Sequence, residues 1–154
     1  MRDPSNVAKI NLLHPKVRQL FTDFIDDAEN SLNISLSIVQ GLRSFSQQQA
    51  IYDQGRTKPG EIVTWSPAGT SYHNYGLAID VCPYNDGKGG LNWNYDFAKL
   101  LPFAQKHGIT WGGNFPVGKK DTDHFENKLG YNWRDLLHKY NVKDFIAGTT
   151  YVNI

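Results

Sequence analysis

The hydrophobic period changes once within the first forty residues, and that change restricts the chain to a mixed architecture. Over residues 15–30, Val17, Leu20, Phe21, Phe24, Ile25 and Ala28 recur at the spacing of one helical face, and Pro15 suits a first-turn position. Ile34, Leu36 and Ile38 then alternate with Ser35 and Ser37, the two-residue period of a half-buried strand. Further along, Ser44 and Gln47 have the spacing of a capping box, which predicts a helix to about Tyr52 with Gly55 as its stop. Pro59, Gly60, Pro67 and Gly69 make residues 56–70 a long loop. Residues 77–81 read as a short strand, and residues 84–90, rich in Asn, Asp and Gly, as a turn. A helix over residues 95–107 should close at Gly108 and be kinked or split by Pro102. A short strand over residues 109–111, a helix over residues 132–140 and a terminal strand at residues 150–152 complete the expectation. This mixed order predicts one α+β domain spanning residues 1–154, with a small, mainly antiparallel sheet flanked by helices.

Composition excludes several classes of function. With 154 residues, 40% of them apolar, the chain can bury a core and is not a disordered tail. A net charge of +1 gives no bulk basic field for nucleic acid. The single cysteine, Cys82, permits no internal disulfide and no cysteine-rich metal site, so a metal would need His and carboxylate ligands. No run reaches the length of a membrane span. Residues 1–13 lack the basic region and continuous apolar stretch of a secretory signal, so the expectation is either synthesis in the cytoplasm without a signal peptide or a signal already removed.

Two short segments carry the chemistry. In the first, Ser71-Tyr72-His73-Asn74-Tyr75-Gly76-Leu77-Ala78-Ile79-Asp80, strand alternation puts Ala78 and Asp80 on the face opposite Leu77 and Ile79. Gly76 permits a close approach of the loop bearing His73. In the second, Asp121-Thr122-Asp123-His124-Phe125-Glu126, an extended chain sends Phe125 to the core and His124 to the opposite side. Two imidazoles and one carboxylate form a three-ligand zinc set that keeps a position open, the catalytic form of such a site. The spacing alone does not force these residues together, and a lone His or Asp near a strand end is more often a hydrogen-bonded surface group. The other histidines have structural readings: His14 ahead of Pro15, His107 at a helix C-terminus and His138 on the last helix. Asn85, Asp86 and Gly87 lack the spaced acids of a calcium loop, and Cys82 reads as a small buried residue.

The pattern Ser71-x-His73-x-x-Gly76-x-Ala78-x-Asp80 followed by Asp121-x-x-His124 resembles the VanY-like D-alanyl-D-alanine carboxypeptidase family of zinc peptidases. Within it the chain is most similar to the L-alanyl-D-glutamate endopeptidases of phage endolysins and bacterial autolysins. Residues 40–45, 54–57 and Trp111-Gly112-Gly113 extend the resemblance over most of residues 38–126. It implies one Zn²⁺ per chain on His73, Asp80 and His124, with Asp121 as general base and Arg43 as the cation that contacts substrate and opposes transition-state charge. Ser71 matches a small polar residue beside the site. Tyr72 and Tyr75 flank a ligand and are expected near substrate, whereas Trp111 is expected to pack. Asp123 is the rival base, but in an extended segment it points away from His124.

The implied activity is hydrolysis of the peptidoglycan stem peptide by a monomer, without nucleic acid or membrane insertion, at the cell wall after release or export. Three functions compete: an L-alanyl-D-glutamate endopeptidase, a D-alanyl-D-alanine carboxypeptidase on the same site, and a zinc-stabilised binding module without turnover. Asp121 argues against the module, because a purely structural zinc needs no adjacent base. Arg56 and Lys58 keep a carboxylate clamp, and with it the carboxypeptidase, in play.

Overall fold

The computed structural model describes residues 1–85 and 89–154. The expected helical face is realised as a single-turn 3₁₀ segment, Pro15–Val17, that runs into helix α2, Arg18–Leu32. Phe21, Phe24, Ile25 and Ala28 are buried, and Asn33 ends the helix in the left-handed conformation. Strand β1, Leu36–Gln40, follows and pairs antiparallel with β2, Ala78–Pro83. The remaining strands are β3, Thr110–Trp111, and β4, His124–Glu126. All three pairings are antiparallel, and the strand order is β1-β2-β4-β3. The α+β class with a small antiparallel sheet is therefore the observed one.

One side of the sheet is dry. Ile38, Ile79, Val81 and Phe125 are fully buried, and Phe125 meets Phe24 of α2 with ring centroids 5.0 Å apart. The other side of β2 and β4 carries Asp80 and His124. Sheet alternation thus separates core from chemistry within two short strands.

Local signals set most other elements. The Ser44–Gln47 capping box forms, with both reciprocal bonds present, and starts α3, Phe45–Asp53. Pro102 splits the next helical region into a 3₁₀ turn, Phe97–Leu100, and α4, Leu101–Lys106, where it occupies the first turn and needs no N–H partner. Asn132 caps α5, Trp133–Asn141, by accepting from Arg134 N and Asp135 N.

One element is unannounced in the sequence, one expectation changes and one falls partly outside the described residues. The helix α1, Ser5–Asn11, has no apolar stripe to announce it. It is held by Asn6, which donates to Leu36 O and accepts from Ile38 N, both at 2.8 Å, and so covers the edge of β1. Residues 150–152 do not form a strand of the sheet; Val152 makes only an isolated bridge to Phe145, and its carbonyl meets His14 Nε2 at 2.9 Å. The turn expected at residues 84–90 includes Asp86, Gly87 and Lys88, which lie outside the described residues. Among the described residues, no helix is long and apolar enough to cross a membrane.

Candidate metal centre

Three side chains from three parts of the chain converge on one point. His73 sits in a 3₁₀ turn, Tyr72–Tyr75, capped by Ser71, whose hydroxyl accepts from His73 N. Gly76 ends that turn at φ +67°, where a Cβ would come 2.7 Å from His14 N, so the chain turns back into β2 only through glycine. Asp80 and His124 are direct partners in the β2–β4 register. The three edges of the resulting triangle are 3.1 Å from His73 Nε2 to Asp80 Oδ1, 3.2 Å from His73 Nε2 to His124 Nδ1, and 3.0 Å from His124 Nδ1 to Asp80 Oδ1. A tetrahedral ion with bonds of about 2.0–2.1 Å separates neighbouring ligand atoms by about 3.3 Å. The triangle is close to that size, and its three donor atoms fit a zinc ion.

The outward nitrogens of both imidazoles are already engaged. His73 Nδ1 donates to Gly41 O at 2.8 Å. His124 Nε2 donates to Glu126 Oε2 at 3.0 Å. Each bond fixes the tautomer in which the inward nitrogen presents a lone pair. Glu126 is buried, and its second oxygen lies 3.1 Å from Lys128 Nζ as an ion partner not aligned for a hydrogen bond. Sequence reading gave Glu126 no role. The available signal was strand alternation, since residue 126 shares the face of residue 124. Burial works against charge at Asp80, yet with His124 and His73 in their protonated forms beside it the carboxyl is held well below the usual range. Burial likewise opposes a charged His124, but Asp80 and Glu126 raise its affinity for positive charge. The cluster is built to hold a cation.

A cleft of about 870 Å³ opens over the triangle and is lined by Arg43, Ser71, Tyr72, Asp121 and Trp65 among others. Arg43 Nη2 lies 3.7 Å from Asp80 Oδ2, and its Nη1 donates to Gln48 Oε1 at 3.0 Å. Burial lowers the guanidinium's affinity for its proton, and Asp80 and Asp121 restore part of it. Asp121 is exposed on the cleft wall. It is held there by a backbone turn in which His124 N donates to Asp121 O at 3.3 Å and Asp121 N to Gly112 O at 3.1 Å. Gly112 is required by that approach, because a Cβ would stand 2.3 Å from Asp121 O.

Two expectations are refined. The extended segment begins only at His124, so alternation does not govern Asp123. That residue is half-buried and off the cleft lining, and burial together with the Asp121 and Asp80 carboxylates pushes it up to about 7. Tyr75 does not reach the cleft: it is buried, packs edge-on against Phe45 and donates its hydroxyl to Gly69 O at 2.6 Å. Tyr72 does line the cleft. Trp111 packs as expected, with Nε1 donating to Thr122 O at 2.6 Å. Cys82 is buried and its thiol is pushed up to about 11 by burial and by Asp123.

Residues 64–127, which include all three candidate ligands, match the D-alanyl-D-alanine carboxypeptidase family profile. The chain is 40% identical over 123 residues to the peptidoglycan L-alanyl-D-glutamate endopeptidase CwlK of Bacillus subtilis, covering 74% of this chain and 72% of that protein. The chain belongs to the VanY-like D-alanyl-D-alanine carboxypeptidase family. The fold is shared with the L-Ala D-Glu endopeptidase ChiX of Serratia marcescens, at a TM-score of 0.55 and 22% identity over 83% of this chain and 86% of that one. It is also shared with the vancomycin-resistance D,D-pentapeptidase VanY in complex with Zn(II), at a TM-score of 0.56 and 18% identity over 82% of this chain and 78% of that one.

Glu126→Gln keeps the shape of the carboxylate and removes its charge. It is expected to weaken zinc affinity about 10- to 100-fold, measured by chelator competition, with unchanged circular dichroism. Unchanged affinity would show that His124 needs no such partner.

Proposed function

We propose that this chain is a zinc-dependent peptidoglycan endopeptidase that cleaves between L-alanine and D-glutamate in the stem peptide. The observation that carries the catalytic reading is a three-donor site, open to a cleft, with an acid and a cation on that cleft's walls. A closed structural site would need neither. Likeness to CwlK supports the choice of bond.

His73, Asp80 and His124 would hold one zinc ion, which when bound supplies Lewis acidity toward a carbonyl and toward water. Asp121 stands on the cleft wall, where it accepts the proton of the attacking water and returns it to the leaving amine. Arg43 offsets the negative charge that develops on the scissile carbonyl oxygen. Its orientation is prepared by Gln48, which is itself fully buried and donates to Ser66 O at 2.7 Å. Ser71 caps the turn that presents His73, and Tyr72 contributes a wall.

The carboxypeptidase alternative requires a free cation to clamp a terminal carboxylate, and Arg56 and Lys58 are its candidates. Neither Arg56 nor Lys58 lines the cleft. The Arg56 guanidinium donates to Tyr52 O and Thr64 O and stacks 3.9 Å from the Tyr52 ring centroid. A guanidinium so engaged holds a loop together, which favours a cleft without that clamp. The place of action we infer is the cell wall, reached after release or export.

Digestion of purified peptidoglycan, with products identified by mass spectrometry, tests the bond. New fragments with N-terminal D-glutamate are expected; free D-alanine as the dominant product would overturn the assignment.

Asp121→Ala should retain zinc and lose on the order of 100- to 10,000-fold in kcat. Asp123→Ala should lose far less. Steady-state kinetics with metal analysis separates the two, and the reverse ranking would make Asp123 the base.

A further inference from the structure

The loop of residues 56–70 has no regular structure, yet side chains of α3 and its C-terminal flank rivet it in place. Gln48 Nε2 donates to Ser66 O at 2.7 Å, Gln49 Oε1 accepts from Ala68 N at 3.3 Å, Gln54 Nε2 donates to Glu61 O at 3.0 Å and Arg56 Nη2 donates to Thr64 O at 3.0 Å. These bonds hold apolar side chains out in water. Ile62, Val63 and Trp65 are 44%, 60% and 64% exposed. An apolar group exposed on a pinned segment beside a cleft marks a binding surface. Val63 and Trp65 line the same cleft as the metal ligands, so this surface is continuous with the substrate site. Arg56 lies over the indole of Trp65, 5.6 Å from the ring centroid, and steadies it.

We propose that Trp65 is a stacking platform for the pyranose ring of the amino sugar that carries the stem peptide. The proposal rests on the endopeptidase reading, and the position of the scissile bond is what leads to it. L-alanine is the first residue of the stem and is joined to the sugar through a lactyl group. From the carbonyl under attack back to the sugar ring is therefore about two residue lengths, about 7 Å. A sugar tethered that closely cannot lie outside the cleft. A pyranose ring presents an apolar C–H face, and a fixed, exposed indole is the flat apolar partner it needs. The charged residues of the lining, Lys119, Lys120 and Asp121, offer no such face, and its other rings, Tyr72, Phe115 and Trp133, are partly buried where Trp65 is exposed. An enzyme acting at the far end of the stem would have no use for this contact. The platform thus makes the sugar a specificity element of this bond.

The test compares two substrates with the zinc-loaded full chain: a free tetrapeptide stem, and the same stem attached to its disaccharide. Cleavage at the L-alanyl-D-glutamate bond is followed by liquid chromatography and mass spectrometry. The disaccharide-linked stem is expected to show a kcat/KM higher on the order of tenfold. Trp65→Ala should bring the ratio of the two kcat/KM values close to one, and Trp65→Phe should restore part of it. Trp93→Ala removes another exposed indole, one that lines a separate shallow hollow, and should leave the ratio as it was. Equal cleavage of both substrates by the unaltered chain, or a preference that survives Trp65→Ala, overturns this proposal alone. Cleavage of neither at that bond overturns the endopeptidase reading and this proposal with it.

Discussion

Asp80 faces His124 across the antiparallel ladder of β2 and β4, and the site is organised around that pairing. Directly opposed residues share a sheet face with Cβ atoms about 4.5–5.5 Å apart, close enough for both side chains to meet at one point. A slip of one residue would send His124 into the core and Phe125 into the cleft. Such a slip is resisted by the fully buried Ile79 and Phe125, so the packing of the dry face also enforces the chemistry of the wet one. The third donor, His73, reaches the pair because Gly76 turns the chain sharply into β2 and because Arg43 N donates to His73 O at 3.0 Å. That last bond ties the proposed catalytic cation to the turn that carries a ligand.

Around the donors lies a second layer, and it differs between the two histidines. His73 is oriented by a neutral carbonyl, that of Gly41, whereas His124 is oriented by the buried carboxylate of Glu126. The carboxylate makes its imidazole the more basic and draws Lys128 to it. Asp80 and Glu126 thus flank His124 with negative charge, and Arg43 and Lys128 stand behind them. A divalent cation suits the site better than a proton can, because one proton can serve only one of the three converging donors.

Legibility in the sequence followed the range of the forces involved. The Ser44–Gln47 box and the Pro102 split are decided within four residues, and both appear as read. The α2 face and the Asp80 and His124 sides of their strands follow from periodicity, and they too are as read. The convergence of His73, Asp80 and His124 is long-range; no spacing enforces it, and the family resemblance pointed to it. The helix α1 escaped notice because its anchor is a polar residue, Asn6, bonded to a strand thirty or more residues away. Tyr75 was expected at the substrate because it neighbours a ligand in sequence. Its hydroxyl instead finds a carbonyl inside the fold, a choice that a non-periodic turn does not reveal. Alternation places Glu126 on the face of His124, but its pairing with the outward nitrogen of that ligand is a side-chain contact that the period alone does not specify.

X-ray absorption at the zinc edge of the purified, zinc-loaded chain tests the central claim most directly. The account predicts one ion per chain with two imidazole nitrogens and one carboxylate oxygen at about 2.0–2.1 Å, and a further light-atom ligand from solvent. The histidine signal should halve in His73→Ala or His124→Ala wherever any metal is retained. A sulfur scatterer at about 2.3 Å, which only Cys82 or Met1 could supply, would contradict it. So would a spectrum unchanged by both histidine substitutions.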